Sequence, residues 1–190
     1  MHASLSDKSL KPLIFIAYLA SATSYASDSG ITITKAEFTV TDGNYAVSAD
    51  IDFQLSEKAT EAVKNGVPLF WTYQFKLKEQ RDYIWNETLA EKSFRYRIQY
   101  HALVNLYRVR NETTGNVNNF SSLESALELM SSVRDFALIE KNKVAQGGNY
   151  VGEMKIAFDR DALPLPLRPA AYVNPQWYLS SDWFSWPLKN

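Results

Sequence analysis

The fold is decided by the stretch Tyr45-Ala46-Val47-Ser48-Ala49-Asp50-Ile51-Asp52-Phe53-Gln54-Leu55. Its odd positions are all apolar or aromatic, and its even positions are small or polar. Successive side chains of a strand point to opposite faces, so this alternation predicts a strand with one buried and one exposed face. A strand of this kind needs a second layer of structure to cover its apolar face.

The segment before this stretch is a second predicted strand, over residues 31–40. Asp42-Gly43-Asn44 supplies the turn between the two strands, because these residue types adopt the positive φ angles of tight hairpin turns. The apolar positions are odd up to Ile33 and even from Ala36. One β-bulge near Lys35 is therefore predicted, since a bulge adds one residue to one strand of a pair.

A short helix and a third strand are predicted next. Ser56 is a suitable N-cap for a helix over Glu57–Lys64, and Gly66 is placed to end it. From Val67 to Leu77 the odd positions are all apolar, which again indicates a strand with one buried face.

Residues 93–110 are also strand-like, but their alternation changes parity. Apolar residues are even up to Tyr100 and odd from Tyr107, and no Gly, Pro or Asp lies between them. We therefore predict one long strand bent by a bulge between His101 and Asn105. A hairpin is the alternative.

The following residues predict a second helix and two more strands. Ser121 or Ser122 caps the helix, which runs to about Ser132 because its apolar residues recur at helical spacing. Strands are predicted at Phe136–Glu140 and Tyr150–Phe158.

The C-terminal part differs in character from the rest. Leu163–Pro169 contains three prolines, which cannot donate backbone hydrogen bonds, so we predict an extended segment lying over the surface. A last strand is predicted to carry Trp177 through Trp186. With about seven strands and two short helices, and no alternation of strand and helix, the predicted fold is an all-β, sandwich-like antiparallel domain.

The N-terminus predicts export. Met1–Ala26 combines a basic start, a short apolar run and a small-residue cleavage site, as secretory signals do. The apolar run is too short for a membrane span, which needs about 20 residues. We predict cleavage near Ala26, a single domain over residues 27–190 and no stable membrane span afterwards.

Composition excludes several classes of function. The chain has no Cys, which excludes thiol catalysis, and a net charge of −1, which does not indicate a nucleic-acid-binding protein. His101 is the only histidine after the predicted cleavage site, and no nucleophile motif accompanies it. We predict no catalytic residue, no metal ion and no cofactor.

A cluster of arginines is the most distinctive charge pattern. With the predicted bulge, Arg95, Arg97, Arg108 and Arg110 lie on one face of the sheet. Because a guanidinium group suits bidentate capture of phosphate or carboxylate, this face is a candidate site for an anionic ligand or partner. In the alternative, which we favour, Asp50 or Asp52 pairs with at least two of these arginines.

Three further residues are candidate binding residues. His101 lies beside the arginines, and Arg168 is available for a carbonyl or carboxylate group. Trp183, like Trp85 and Trp186, is not fixed by strand alternation, so it is a candidate for recognition of a saccharide or a protein surface.

Three segments together resemble the bacterial DUF4390 family. They are Arg97–Leu103, the Ser56–Leu69 segment with its Asn-Gly-Val-Pro-Leu ending, and Leu163–Arg168 with Trp177–Trp183. The resemblance implies an exported protein of Gram-negative bacteria without an assigned activity. It also implies a link to a membrane sensor histidine kinase, whose gene often neighbours those of the family.

The leading hypothesis is a non-catalytic periplasmic domain that binds another envelope protein, with a sensor kinase as the partner that the resemblance implies. One alternative is capture of an anionic or saccharide envelope component by the arginine face or the free tryptophans. The other is a hydrolase that uses two carboxylates.

Overall fold

The computed structural model describes residues 30–81 and 86–189. The predicted export signal at 1–26 and the tryptophan at position 85 lie outside the described residues.

The described residues form two antiparallel sheets and three α-helices. In chain order the elements are β1 (Gly30–Thr41), β2 (Asn44–Gln54), α1 (Glu57–Lys64), β3 (Leu69–Glu79), β4 (Glu87–His101), β5 (Leu106–Asn111), β6 (Val117–Phe120), α2 (Leu123–Met130), β7 (Ser132–Glu140), β8 (Tyr150–Phe158), α3 (Arg168–Val173) and β9 (Phe184–Pro187). One sheet has the order β1-β2-β7, and the other has the order β6-β5-β4-β3-β8-β9. None of these helices is long and apolar enough to cross a membrane.

The core lies between the two sheets and is rich in aromatic rings. The Phe53 ring of β2 lies 5.1 Å from the Trp71 ring of β3, and the Phe75 ring of β3 lies 4.6 Å from the Phe136 ring of β7. These contacts join one sheet to the other, so the prediction of an all-β, sandwich-like fold is confirmed. The structure has more strands than predicted, because short strands such as β6 leave no clear alternation in the sequence.

The first hairpin follows the sequence prediction closely. Asp42 and Gly43 both have positive φ angles, and the register between β1 and β2 shifts between Ile33 and Lys35. The predicted turn and the predicted bulge are therefore both confirmed.

Both predicted helices are present. The Ser56 hydroxyl accepts a hydrogen bond from the Ala59 N–H at the start of α1. The Ser122 hydroxyl accepts one from the Ser125 N–H at the start of α2, so Ser122 rather than Ser121 is the cap. A capping hydroxyl satisfies one of the N–H groups that the first helical turn leaves without a partner.

The prediction of one long, bent strand over residues 93–110 is wrong, and the hairpin alternative is correct. His101 of β4 pairs with Leu106 of β5, and the four residues between them form the turn. Asn105 has a φ angle of 51°, a left-handed conformation that asparagine tolerates better than most residues. Asn105 therefore provides the turn, although this segment contains no Gly, Pro or Asp.

The prediction of an extended segment at Leu163–Pro169 is also wrong. The chain turns after Pro164, where the Leu167 N–H donates to the Pro164 carbonyl at 2.9 Å, and α3 then begins at Arg168. Proline is favourable in the first turn of a helix, where its missing N–H has no partner to lose, so Pro169 promotes a helix here. Leu163 is buried, but Leu165 is 72% exposed and does not face an apolar surface.

The predicted last strand is shorter than expected. Trp177 belongs to the short 3₁₀ helix Pro175–Trp177, and only Phe184–Pro187 pairs as β9. The Trp71 indole nitrogen donates to the Leu179 carbonyl at 2.9 Å. This buried bond attaches the chain between the 3₁₀ helix and β9 to the larger sheet, although that chain is not itself a strand.

A buried tyrosine connects α2 to the sheet and gives a pH-dependent prediction. The Tyr73 hydroxyl donates to the Met130 carbonyl at 2.6 Å. Burial, with a smaller contribution from Tyr96, raises the pKa of Tyr73 well above its ordinary value of about 10. The folded state therefore keeps the Tyr73 proton at pH values where the unfolded chain releases it, and this stabilisation is lost as the pH rises above about 10.

We expect the free energy of unfolding of the natural protein to fall more steeply above pH 10 than that of the Tyr73→Phe variant. At neutral pH the variant should lose about 1 kcal/mol, the net contribution of a typical hydrogen bond. Urea unfolding between pH 8 and about pH 11 measures both values. Parallel pH profiles would show that Tyr73 does not titrate differently in the two states.

Candidate functional site

The four predicted arginines lie on one face of the larger sheet. Arg97 of β4 is directly opposite Arg110 of β5, and Arg108 is opposite Gln99. Directly paired residues share a face, and Arg95, Arg97 and Gln99 are two apart along β4. The prediction of a shared face is confirmed, although a hairpin rather than a bulge produces it.

The predicted pairing of these arginines with Asp50 or Asp52 is wrong, because β2 belongs to the other sheet. Asp50 instead forms an ion pair with Arg134 of the neighbouring strand β7, with 2.5 Å between the guanidinium nitrogen and the carboxylate oxygen. Asp52 accepts a hydrogen bond from Gln54 at 3.1 Å.

Other carboxylates neutralise most of the arginine face. Arg95 pairs with Asp159 at 2.6 Å, and its guanidinium lies 4.4 Å from the centre of the Phe70 ring. The Glu112 carboxylate lies 3.0 Å from the Arg97 Nε and 3.8 Å from the Arg110 Nε. The face is thus compensated within the protein, as the favoured alternative expected, but by different acids.

The fourth arginine and the histidine lie near the β4–β5 hairpin. The Arg108 Nε donates to the Asn119 side chain at 3.0 Å. His101 lies half-buried at the end of β4, where its carbonyl accepts the Val104 N–H of the hairpin turn. Within residues 30–81 and 86–189, no group of three or more metal-ligating side chains comes together.

Arg168 makes a contact within its own segment. Its Nε donates to the Leu163 carbonyl at 2.7 Å, across the turn that precedes α3. The predicted carbonyl contact is present, and it holds this turn closed.

Trp183 is 40% exposed on the outer side of the larger sheet. The Lys76 and Lys155 ammonium groups lie 5.1 and 5.8 Å from the centre of its ring. Both distances are within the range of a cation–π interaction. Trp186, by contrast, is buried against Phe38, with 5.2 Å between the ring centres, and is not a surface residue.

An exposed surface around α3 was missed by the sequence analysis. The Arg160 guanidinium lies 5.7 Å from the centre of the Tyr172 ring and 4.9 Å from that of Tyr178. Both rings are about half exposed, and the neighbouring Val173 is 77% exposed. We call these four residues, Arg160, Tyr172, Val173 and Tyr178, the α3 patch.

The α3 patch is held in place by local hydrogen bonds. The Tyr172 hydroxyl donates to the Asp161 carboxylate at 2.6 Å, and this bond raises the pKa of Tyr172 above its ordinary value. The Asp159 side chain accepts from the Ala162 N–H and so caps the short 3₁₀ helix that carries Arg160. A patch with fixed side chains loses less conformational entropy when a partner binds.

The sequence contains only a weak signal for the α3 patch. Exposed large apolar residues are concentrated in the C-terminal part of the chain, which carries five of the nine that the described residues contain. These five are Leu165, Tyr172, Val173, Tyr178 and Trp183. Their spacing follows neither strand nor helix periodicity, so a pattern search does not separate them from core residues.

Comparison with known proteins gives one match. The model of a family described as a domain of unknown function, DUF4390, matches residues 28–187, which is 160 of the 190 residues of the chain. No curated protein and no solved structure matches.

Proposed function

The chain belongs to the DUF4390 family, and we propose that it is an exported, non-catalytic envelope domain that binds another envelope protein through the α3 patch. The observation that carries this proposal is the contact of Arg160 with two half-exposed tyrosine rings, one of them next in the chain to an exposed valine. Tyrosine and arginine, together with tryptophan, are enriched among the residues that dominate binding energy at protein interfaces.

The chemistry of the α3 patch favours a protein over a small molecule. Tyrosine offers a large apolar area with a polar end, and the guanidinium adds donors for carbonyl or carboxylate groups of a partner. The patch is an exposed surface, whereas small-molecule sites are mostly concave. A membrane sensor histidine kinase is the partner that we propose, and the periplasm is the proposed location.

The arginine face supports ligand capture less well than the α3 patch supports protein binding. Arg95, Arg97 and Arg110 already have carboxylate partners, so an anionic ligand would have to compete with Asp159 and Glu112. Two lysine ammonium groups already lie near the Trp183 ring, which leaves less of the ring for a sugar to stack on. No observation on the described residues favours a carboxylate-based hydrolase.

Affinity capture from a detergent-solubilised cell envelope tests the proposal. We expect Val173→Asp to reduce recovery of the partner at least about tenfold, because it replaces an exposed apolar side chain of the patch by a charge that a partner would have to bury. The matched control is Leu103→Asp, since Leu103 is a fully exposed apolar residue on the β4–β5 turn. Equal recovery by both variants would contradict the α3 patch as the binding surface.

The same preparation tests the proposed location and partner. The intact mass of protein from the periplasmic fraction should correspond to cleavage near Ala26. Recovery of the full-length chain only in the membrane fraction would contradict export with cleavage. Mass spectrometry of the captured protein decides whether it is a sensor histidine kinase or another envelope protein.

A further inference from the structure

Among the described strands, β1 is the longest one that lies at the edge of a sheet. It has 12 residues and lies at the end of the three-stranded sheet, where it pairs with β2 alone among the described strands. The edge strands of the larger sheet, β6 and β9, have only four residues each. The other edge strand of this sheet is β7, where the Ala137 carbonyl accepts a hydrogen bond from the Lys92 ammonium group at 2.8 Å. A long open edge presents unpaired N–H and C=O groups that another strand can pair with.

The charges at the middle of β1 are arranged in a self-complementary way. Lys35 and Glu37 are both exposed, and their side chains are 3.1 Å apart. A lone lysine at the centre of an edge opposes pairing with another strand. With a two-fold axis at Ala36, however, Lys35 of one copy lies opposite Glu37 of a second copy, and the reverse also holds. Opposite charges directly across a strand pair are favourable.

A second pair of charges obeys the same symmetry. Asp182 lines a cavity of about 290 Å³ beside Gly30–Ile33, at the start of β1. Lys189 lines a cavity of about 460 Å³ beside the second half of the strand, next to Phe38 and Val40. Among the described residues, neither charge takes part in an ion pair. In an antiparallel pair, the start of one β1 lies beside the end of the other, so Asp182 of one copy approaches the end that carries Lys189 of the second copy.

We propose that β1 pairs antiparallel with β1 of a second copy of this chain, which joins the two three-stranded sheets into one sheet with the order β7-β2-β1-β1-β2-β7. A two-fold interface uses the same surface of both copies, so its charges must be self-complementary, as those of β1 are. This inference goes beyond the proposed function and does not depend on the α3 patch.

Because the chain contains no Cys, single-cysteine variants give a clear test. In Ala36→Cys the two engineered residues should face each other across the axis, with Cα atoms about 4.5–5.5 Å apart, and mild oxidation should join the two copies. In Thr41→Cys, five residues from the axis, the two cysteines should be about 33 Å apart and should not react together. Both variants are made in the full chain and compared by non-reducing electrophoresis.

Sedimentation equilibrium of the cysteine-free protein tests the second pair of charges. Asp182→Lys should weaken dimerisation about tenfold, and Asp182→Lys combined with Lys189→Asp should restore it. Glu124→Lys on α2 is the matched control and should leave the dimer unchanged.

Each outcome supports or overturns the proposal. A dimer with cross-linking at position 36 alone and recovery in the double charge variant supports it. A monomer at all concentrations, or equal cross-linking at positions 36 and 41, overturns it. Cross-linking of position 36 to a different protein also overturns it, because the open edge would then serve another partner.

Discussion

Replacing Trp71 by Ala is expected to lower the free energy of unfolding by about 3–5 kcal/mol, the range for removing a large buried aromatic side chain. Trp71 is fully buried at the junction of both sheets and the C-terminal segment. Its ring lies 5.1 Å from both the Phe53 and Phe158 rings. The substitution leaves a cavity between the sheets, and it also leaves the buried Leu179 carbonyl without its donor.

Urea unfolding, monitored by circular dichroism, measures this loss of stability. Trp183→Ala is the matched control, because Trp183 is 40% exposed and its contacts with lysines contribute about 0.5–1 kcal/mol. If both variants lost the same stability, Trp71 would not hold the C-terminal segment against the sheet as described.

Gly152→Ala is expected to destabilise the protein by about 1–3 kcal/mol, as overpacking of a filled core does. A Cβ atom at Gly152 would lie 2.6 Å from both the Trp186 Cε2 and the Phe38 Cζ atoms. The two rings pack against each other between β1 and β9, with 5.2 Å between their centres, so a Cβ atom at position 152 would displace both. Without this close approach, the same substitution stabilises a protein by about 0.4–1 kcal/mol through the entropy of the unfolded chain. A loss of stability on Gly152→Ala therefore indicates the close approach of the two rings, and a gain indicates its absence.

Gly30→Ala provides the control for Gly152→Ala. Both glycines lie in strands, but among the described residues a Cβ atom at Gly30 meets no atom within 4 Å. Thermal unfolding of the two variants should show a lower midpoint for Gly152→Ala and an unchanged or higher midpoint for Gly30→Ala. A higher midpoint for Gly152→Ala would contradict the packing of Trp186 over the strand.

Local sequence signals predict much of this fold because the responsible interactions are local. The alternation of β2 and β3 specifies which face is buried, the change of parity near Lys35 locates the bulge, and Ser56 caps α1. The β4–β5 hairpin was only the alternative prediction, because its turn depends on Asn105 adopting a conformation that asparagine tolerates but does not require.

The partners of the site residues could not be predicted, because they depend on which strands share a sheet. The arginines share a face as predicted, but the assignment of Asp50 to the same sheet was wrong. The carboxylates that compensate Arg95 and Arg97 come from the end of β8 and from the turn after β5. The α3 patch was missed for a related reason, since its two tyrosines come together through contacts with Arg160.

Site-specific photo-cross-linking in living cells tests the central claim most directly. A photoreactive amino acid is placed at position 173 in the α3 patch, or at position 103 on the β4–β5 turn, which is also exposed. We predict that position 173 cross-links to one discrete envelope protein and that position 103 does not. The absence of any adduct at position 173, or the same adduct from both positions, would contradict binding through the α3 patch.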